Sequence, residues 1–175
     1  MVEAWVGPAI VAAVISSIIG AIGWFVTYRL TISLDERRRA EKIRDFQIAL
    51  RAEIRSELAN LERFDLDALY ADVVKRYQAD EAYSVSVPRL ARQIVFETVA
   101  GEIHILPEAV IGPVVLYARQ REVVESLTKD IQDGRFATLA KDRQLAMYRD
   151  YLGLWKVWRE LAADAERTLA SGAVQ

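Results

Sequence analysis

Apolar and charged positions divide the chain into two contrasting parts. Residues 4–28 carry no charged side chain, whereas residues 35–63 are dense in Glu and Arg. A helix as long as the apolar stretch spans roughly 37 Å, which exceeds the roughly 30 Å of hydrocarbon in a bilayer. Trp5 stands at one end of the stretch, and Trp24 and Tyr28 stand at the other, as in the aromatic belts of membrane interfaces. The pattern predicts a transmembrane helix over residues 4–28.

Two alternatives to a membrane span are a buried core helix and a cleaved signal peptide. Core helices rarely run this long without a charge. A signal peptide begins with basic residues and has an apolar region of about 7–15 residues, whereas here the only charged residue before a much longer apolar run is Glu3. Both alternatives are therefore disfavoured.

Basic residues around the span predict its orientation. None precedes it, and six follow it within a short distance: Arg29, Arg37, Arg38, Arg39, Lys42 and Arg44. The positive-inside rule then places the N-terminus outside the plasma (inner) membrane and the C-terminal part in the cytoplasm. The absence of cysteine agrees with a cytoplasmic location. We treat residues 29–42 as a basic juxtamembrane segment, in which residues 30–34 either continue the membrane helix or form a joint.

The part of the chain after the span has helical periodicity. Its first apolar stripe has a mean spacing of 3.6 residues and consists of Ile43, Phe46, Leu50, Ile54, Leu58 and Leu61. This spacing is typical of an amphipathic helix on a globular core, since a sustained coiled coil averages about 3.5. A second helix is predicted over residues 66–79, with Asp65 as its N-cap.

Proline and glycine mark the later elements. Residues 80–87 break the pattern and are predicted to be a loop. Pro88 is expected to open a third helix that Gly101 ends. Pro107 is expected to open a fourth helix, with either a kink or the end of a short first segment at Gly112-Pro113. Its apolar stripe also contains a charged residue and reads Val110, Val114, Tyr117, Arg121, Val124, Leu127 and Ile131.

A last helix is predicted from about Ala137 to Leu169. The fold class expected from all these elements is all-α, with one N-terminal transmembrane helix followed by an antiparallel helical bundle. The helical domain would cover residues 43–170, and residues 171–175 would form a flexible tail.

Residues with the chemistry of an active site are scarce. The chain has one histidine, His104, and no cysteine, and it contains no Ser nucleophile elbow, P-loop, G-x-G-x-x-G or paired Glu-x-x-His motif. A net charge of −2 gives no general reason to bind nucleic acid. We therefore expect a non-enzymatic protein with no catalytic residue, metal, cofactor, nucleic-acid partner or small-molecule substrate.

Three groups of residues are candidates for interactions. Ala12, Ser16 and Gly20 recur every four residues, with Gly23 beyond them, and small residues at this spacing allow two membrane helices to pack closely. Arg37, Arg38 and Arg39 either attract anionic lipid head groups or only determine topology. Trp155, Trp158 and Arg159 are candidates for a partner surface; the alternative is that the tryptophans pack in the core.

Two stretches of the chain are the basis of a resemblance to a class of known proteins. One is Ala52-Glu53-Ile54-Arg55-Ser56-Glu57-Leu58-Ala59-Asn60-Leu61; the other is Val95-Phe96-Glu97-Thr98-Val99, followed by Ile105-Leu106-Pro107 and the helix from Val114 to Tyr117. The layout resembles a loose class of small, uncharacterised bacterial single-pass membrane proteins with a helical cytosolic domain. The resemblance implies no activity and no catalytic residue.

The preferred function is a membrane-anchored scaffold or accessory protein that oligomerises or binds a partner through its helical domain. The alternative is a pore-forming or membrane-disrupting effector, although Ser16, Ser17 and Thr27 are too few polar residues to line a wet pore. The second alternative is a membrane-tethered enzyme of an unrecognised type. Membrane lipid and a second copy or a membrane protein complex are the expected partners.

Overall fold

The computed structural model describes residues 6–172, and helices are the regular secondary structure of this range, which confirms the all-α class. Its five α-helices are α1 (Val6–Glu62), α2 (Leu66–Ala79), α3 (Ile94–Val99), α4 (Glu108–Gln132) and α5 (Lys141–Gly172). Two 3-10 helices, Ala100–Ile105 and Phe136–Thr138, complete the elements assigned in this range. Ala4 and Trp5, where the predicted span begins, lie outside the described residues, as do residues 173–175.

The chain divides into two compact units, residues 1–43 and residues 44–175. α1 is 57 residues long and has no interruption, so residues 30–34 continue the helix and do not form a joint. The second unit contains the end of α1 together with α2 to α5.

α2 begins and ends where the sequence predicts. Asp65 is its N-cap, and the Asp65 carboxylate accepts hydrogen bonds from the N–H groups of Asp67 and Ala68, both at 3.0 Å. A cap of this kind satisfies amides that have no partner within the helix. Leu66, Val73 and Tyr77 form the buried face of α2.

The third helix begins at Ile94 and not at Pro88, so this prediction was wrong. The preceding residues stay extended because side chains of other elements hold their backbone. The Val85 N–H donates to the Tyr77 hydroxyl at 3.1 Å, and the Val87 carbonyl accepts from the Gln132 amide at 3.0 Å. Val85 and Val87 are buried, and closer to α3 the Ala91 carbonyl accepts a hydrogen bond from the Arg121 side chain.

α3 ends at Val99 with Ala100 as its C-cap, so Gly101 stands at the C′ position that the sequence predicts, and the chain continues there as the 3-10 helix Ala100–Ile105. Two other predicted boundaries differ from the structure. The last helix begins at Lys141, and Ala137 lies in a separate 3-10 helix. The buried Gln144 amide there donates to the carbonyl oxygens of Ala137 and Leu139, at 3.3 and 2.8 Å, which holds the turn open. Ser171, predicted to be in a flexible tail, is the penultimate residue of α5.

α4 begins directly after Pro107, as predicted, and it continues through Pro113 to Gln132 without a separate first segment. α4 and α5 make the most extensive contact between elements of the described chain. Ala162 and Ala165 of α5 are fully buried, and such small side chains allow two helices to approach closely. Leu50, Ile54 and Leu61 of α1 are also buried in this second unit.

Candidate functional site

The first candidate site is the apolar part of α1. Side chains of residues 11–32 are all exposed, and the large apolar ones include Val11 at 58%, Ile19 at 64% and Trp24 at 69%. Among the described residues, α1 is the one helix that is long and apolar enough to cross a membrane.

Polar groups within this apolar stretch bond to the helix itself. The Ser17 hydroxyl donates to the Ala13 carbonyl at 2.8 Å, and the Thr27 hydroxyl donates to the Gly23 carbonyl at 2.9 Å. A hydroxyl that donates to its own helix can enter the hydrocarbon of a membrane with its hydrogen bond satisfied.

Two aromatic contacts mark the end of the apolar stretch. Trp24 stacks on Tyr28 with 5.5 Å between ring centroids, and the Arg29 guanidinium lies 5.3 Å from the Phe25 ring centroid. Aromatic rings next to the first basic residue after an apolar stretch are typical of a helix segment at a membrane interface.

The small residues of α1 face open space. Ala12, Ser16, Gly20 and Gly23 are all exposed. Beyond the adjacent residues and the backbone of the same helical turns, a Cβ atom added at Gly20 or at Gly23 would have no atom of the chain within 4 Å. The face is therefore accessible to another helix, and its role in helix packing stays a prediction. Arg37, Arg38 and Arg39 are also exposed.

The second candidate site is a polar cluster inside the helical domain, which we call the Glu57 cluster. It consists of Glu57 on α1, Gln93 before α3, and Tyr117 and Arg121 on α4. The Arg121 Nε donates to Glu57 Oε1 at 3.0 Å. The Gln93 amide donates to Glu57 Oε2 at 3.2 Å and to the Tyr117 hydroxyl at 2.6 Å, and that hydroxyl donates to Glu57 Oε2.

The charged groups of the Glu57 cluster are almost completely enclosed. The side chain of Arg121 is 8% exposed and that of Glu57 is 17% exposed. Arg121 also donates to the Ala91 carbonyl, lies 3.4 Å from Glu125 and contacts the Trp158 ring at 6.0 Å from its centroid. Burial, reinforced by the Glu57 carboxylate, raises the pKa of Tyr117 far above its ordinary value. The Tyr117 hydroxyl therefore stays protonated and remains a donor to Glu57.

The Glu57 cluster joins three parts of the domain. Both carboxylate oxygens of Glu57 are already occupied by donors from α4 and from the segment before α3. The cluster therefore fixes α1 to these elements. The sequence contained one signal for it, because Arg121 occupies an apolar stripe position and a buried guanidinium requires an acidic partner. Spacing along the chain could not identify that partner, which lies 64 residues away.

The predicted partner surface is only partly accessible. Trp158 is 2% exposed and packs in the core, so its assignment to a partner surface is wrong. Trp155 and Arg159 are half-buried. Trp155 contacts Trp158 edge-on, with 6.0 Å between ring centroids. Trp155 also lines an apolar cavity of about 210 Å³, together with Phe64, Leu66, Leu69, Ser86, Val87, Pro88, Tyr148, Tyr151 and Leu152.

His104 is exposed in the 3-10 helix Ala100–Ile105. Within residues 6–172, no group of three or more His, Cys, Asp or Glu side chains is arranged to hold a metal ion.

Comparisons of the chain with protein-family models, curated proteins and solved structures find no match. The resemblance to the loose class of bacterial single-pass membrane proteins therefore stays a prediction.

Proposed function

We propose that the chain is a membrane-anchored, non-enzymatic scaffold or accessory protein. The apolar part of α1 crosses the plasma membrane with its N-terminus outside. The helical domain lies in the cytoplasm as an antiparallel bundle and binds a partner there or associates with a second copy.

The observation that carries this proposal is the exposure of the apolar side chains of α1. Each large apolar side chain transferred from water to an apolar environment contributes about 1.5–3 kcal/mol. Eleven of them are exposed within residues 11–30: Val11, Val14, Ile15, Ile18, Ile19, Ile22, Trp24, Phe25, Val26, Tyr28 and Leu30. Even with partial exposure the sum exceeds about 10 kcal/mol, which is comparable to the whole stability of a domain. A lipid bilayer covers all faces of the helix at once and removes this cost.

Two features support the orientation and the scaffolding role. The exposed basic residues Arg37, Arg38 and Arg39 follow the apolar stretch, and basic residues close to the membrane are retained on the cytoplasmic side, where anionic lipids attract them. Confinement to a membrane also raises the effective concentration of the domain. Even a weak contact with a neighbouring membrane protein then becomes useful.

The test of anchoring uses a matched set of isoleucine substitutions. The double variant Ile15→Arg/Ile19→Arg places two charges in the apolar stretch, each of which costs about 2.5–3.5 kcal/mol at the centre of a membrane helix. The control is Ile48→Arg, because Ile48 is 51% exposed, like Ile15 at 52%, but belongs to the second unit. After alkaline carbonate extraction, we expect the wild type and the control in the membrane pellet and the double variant in the supernatant. A double variant that stays in the pellet would show that residues 11–32 are not the anchor.

Two further measurements test the orientation and the scaffold function. A C-terminal reporter that is active only in the cytoplasm should be active. Activity of a C-terminal alkaline phosphatase fusion, which requires the outer side of the membrane, would show that the proposed orientation is wrong. Purified chain in liposomes should cause no ion flux, whereas sustained flux would favour the pore-forming alternative.

A further inference from the structure

α3 is too short to be stable by itself. It has six residues, Ile94–Val99, and its N-cap residue Gln93 makes no capping hydrogen bond. The Gln93 amide is instead directed to Glu57 and the Tyr117 hydroxyl. Since isolated helices of fewer than about 12–15 residues are marginal in water, the stability of α3 must come from another part of the domain.

Glu53 of α1 supplies the missing cap. One Glu53 carboxylate oxygen accepts the Val95 N–H at 3.0 Å and the other accepts the Phe96 N–H at 2.8 Å. These are the second and third amides of α3, which a capping side chain ordinarily satisfies. A carboxylate at this end also interacts favourably with the helix dipole. The cap thus comes from a residue more than 40 positions earlier in the chain.

Glu57 lies one turn after Glu53 and holds the residues just before α3. It binds the Gln93 amide directly, and it binds Arg121, which in turn holds the Ala91 carbonyl. Residues four apart project from the same face of a helix. The two carboxylates therefore act side by side on residues 91–96, and we call Glu53 and Glu57 the carboxylate clasp.

We propose that the carboxylate clasp is a conformational device by which the docking of α1 controls the folding of α3. When α1 is docked, its two carboxylates order residues 91–96, and α3 and the following 3-10 helix form. A rotation or displacement of α1 withdraws both carboxylates together, because they share one face. α3 then loses its cap and unfolds locally, while α4 and α5 remain packed on each other.

The local Arg92–Glu97 ion pair does not replace the clasp. Its Nη2–Oε2 distance is 2.5 Å, but the two side chains are 78% and 48% exposed. Exposed ion pairs contribute little to stability, so this pair leaves α3 dependent on Glu53.

The test is hydrogen–deuterium exchange of the full chain in detergent micelles, read separately for peptides covering residues 94–99 and 141–172. The variant Glu53→Ala removes the cap, and Glu53→Gln keeps a neutral oxygen that still accepts one hydrogen bond. Glu62→Ala is the matched control, because Glu62 is an exposed glutamate of the same helix. We expect exchange at residues 94–99 to become roughly tenfold to hundredfold faster in Glu53→Ala, with a smaller change in Glu53→Gln. The control should match the wild type, and exchange in α5 should be unchanged in all variants.

Two results would overturn the proposal. Unchanged exchange at residues 94–99 in Glu53→Ala would mean that the Glu53 cap does not control the folding of α3. An equal acceleration at residues 94–99 and in α5 would mean that Glu53 only contributes to the stability of the whole domain.

Discussion

Replacing Glu57 by glutamine is the most direct test of how α1 is held in the domain. Glu57→Gln keeps the size of the side chain but removes its charge. Arg121 then remains buried, with a side chain that is 8% exposed, and its nearest remaining carboxylate is Glu125 at 3.4 Å. The glutamine NH2 group would also face Gln93 and Tyr117, both of which now donate hydrogen bonds to Glu57.

The expected loss follows from this geometry. Removing one partner of a buried ion pair costs about 3–5 kcal/mol. Glu125 compensates for part of this loss, and Glu57 itself is 17% exposed, so we expect about 2–3 kcal/mol. For a domain of this size such a loss lowers Tm by roughly 6–15 °C.

Thermal unfolding of the full chain in detergent measures this effect. Near-ultraviolet circular dichroism is the appropriate signal, because Trp158 and Tyr117 are buried in the second unit, whereas an apolar helix in a micelle stays helical. Glu62→Ala is the control and should unfold like the wild type. A third variant, Glu57→Leu/Arg121→Met, replaces the ion pair by apolar side chains and should recover part of the lost stability.

A Glu57→Gln variant within about 0.5 kcal/mol of the wild type would refute the reasoning. Glu125 would then be the main partner of Arg121, and Glu57 would not be essential for fixing α1.

Three other predictions concern the membrane helix, the domain and its buried tyrosines. Gly20→Leu should abolish self-association in a transmembrane reporter assay while Val14→Leu does not. A Cβ atom at Gly20 meets no other part of the same chain, so we attribute a loss to contact with a second helix. Removal of residues 1–34 should leave a soluble fragment with helical circular dichroism, because the second unit has its own core. Burial raises the pKa of Tyr151 to about 12, against about 10 in an unfolded chain. Unfolding therefore releases this proton more readily, and stability should fall between about pH 10 and 12, as measured by denaturant titration.

Each of these predictions has a clear contrary result. Equal self-association of the Gly20→Leu and Val14→Leu variants would exclude the small-residue face as the contact. An aggregated or unstructured fragment would show that the domain depends on the membrane or on a partner. A denaturation midpoint that does not change from pH 9 to 12 would mean that the buried tyrosines Tyr117 and Tyr151 lose their protons as readily in the folded chain as in the unfolded one.

Local signals in the sequence determined much of the helical architecture. The uncharged stretch predicted the apolar part of α1. Asp65 predicted where α2 begins, and Pro107 predicted where α4 begins. These signals act through hydrogen bonds and steric limits between residues that are neighbours in the chain. The local sequence is therefore sufficient to identify them. The small-residue face of α1 was also evident from spacing alone, since all of it lies on one helix.

Tertiary contacts decided what the local signals left open. Pro88 could have opened a helix, but Gln132 and Tyr77 hold the nearby backbone extended, and α3 begins only where Glu53 caps it. Trp158 and Trp155 have similar sequence surroundings, yet only Trp158 is buried. The partner of Arg121 was decided by the fold as well, because a guanidinium on α4 can meet a carboxylate on α1 only after both helices have docked. Such pairings depend on distances in space between residues that are far apart in the chain, and no periodicity along the sequence records them.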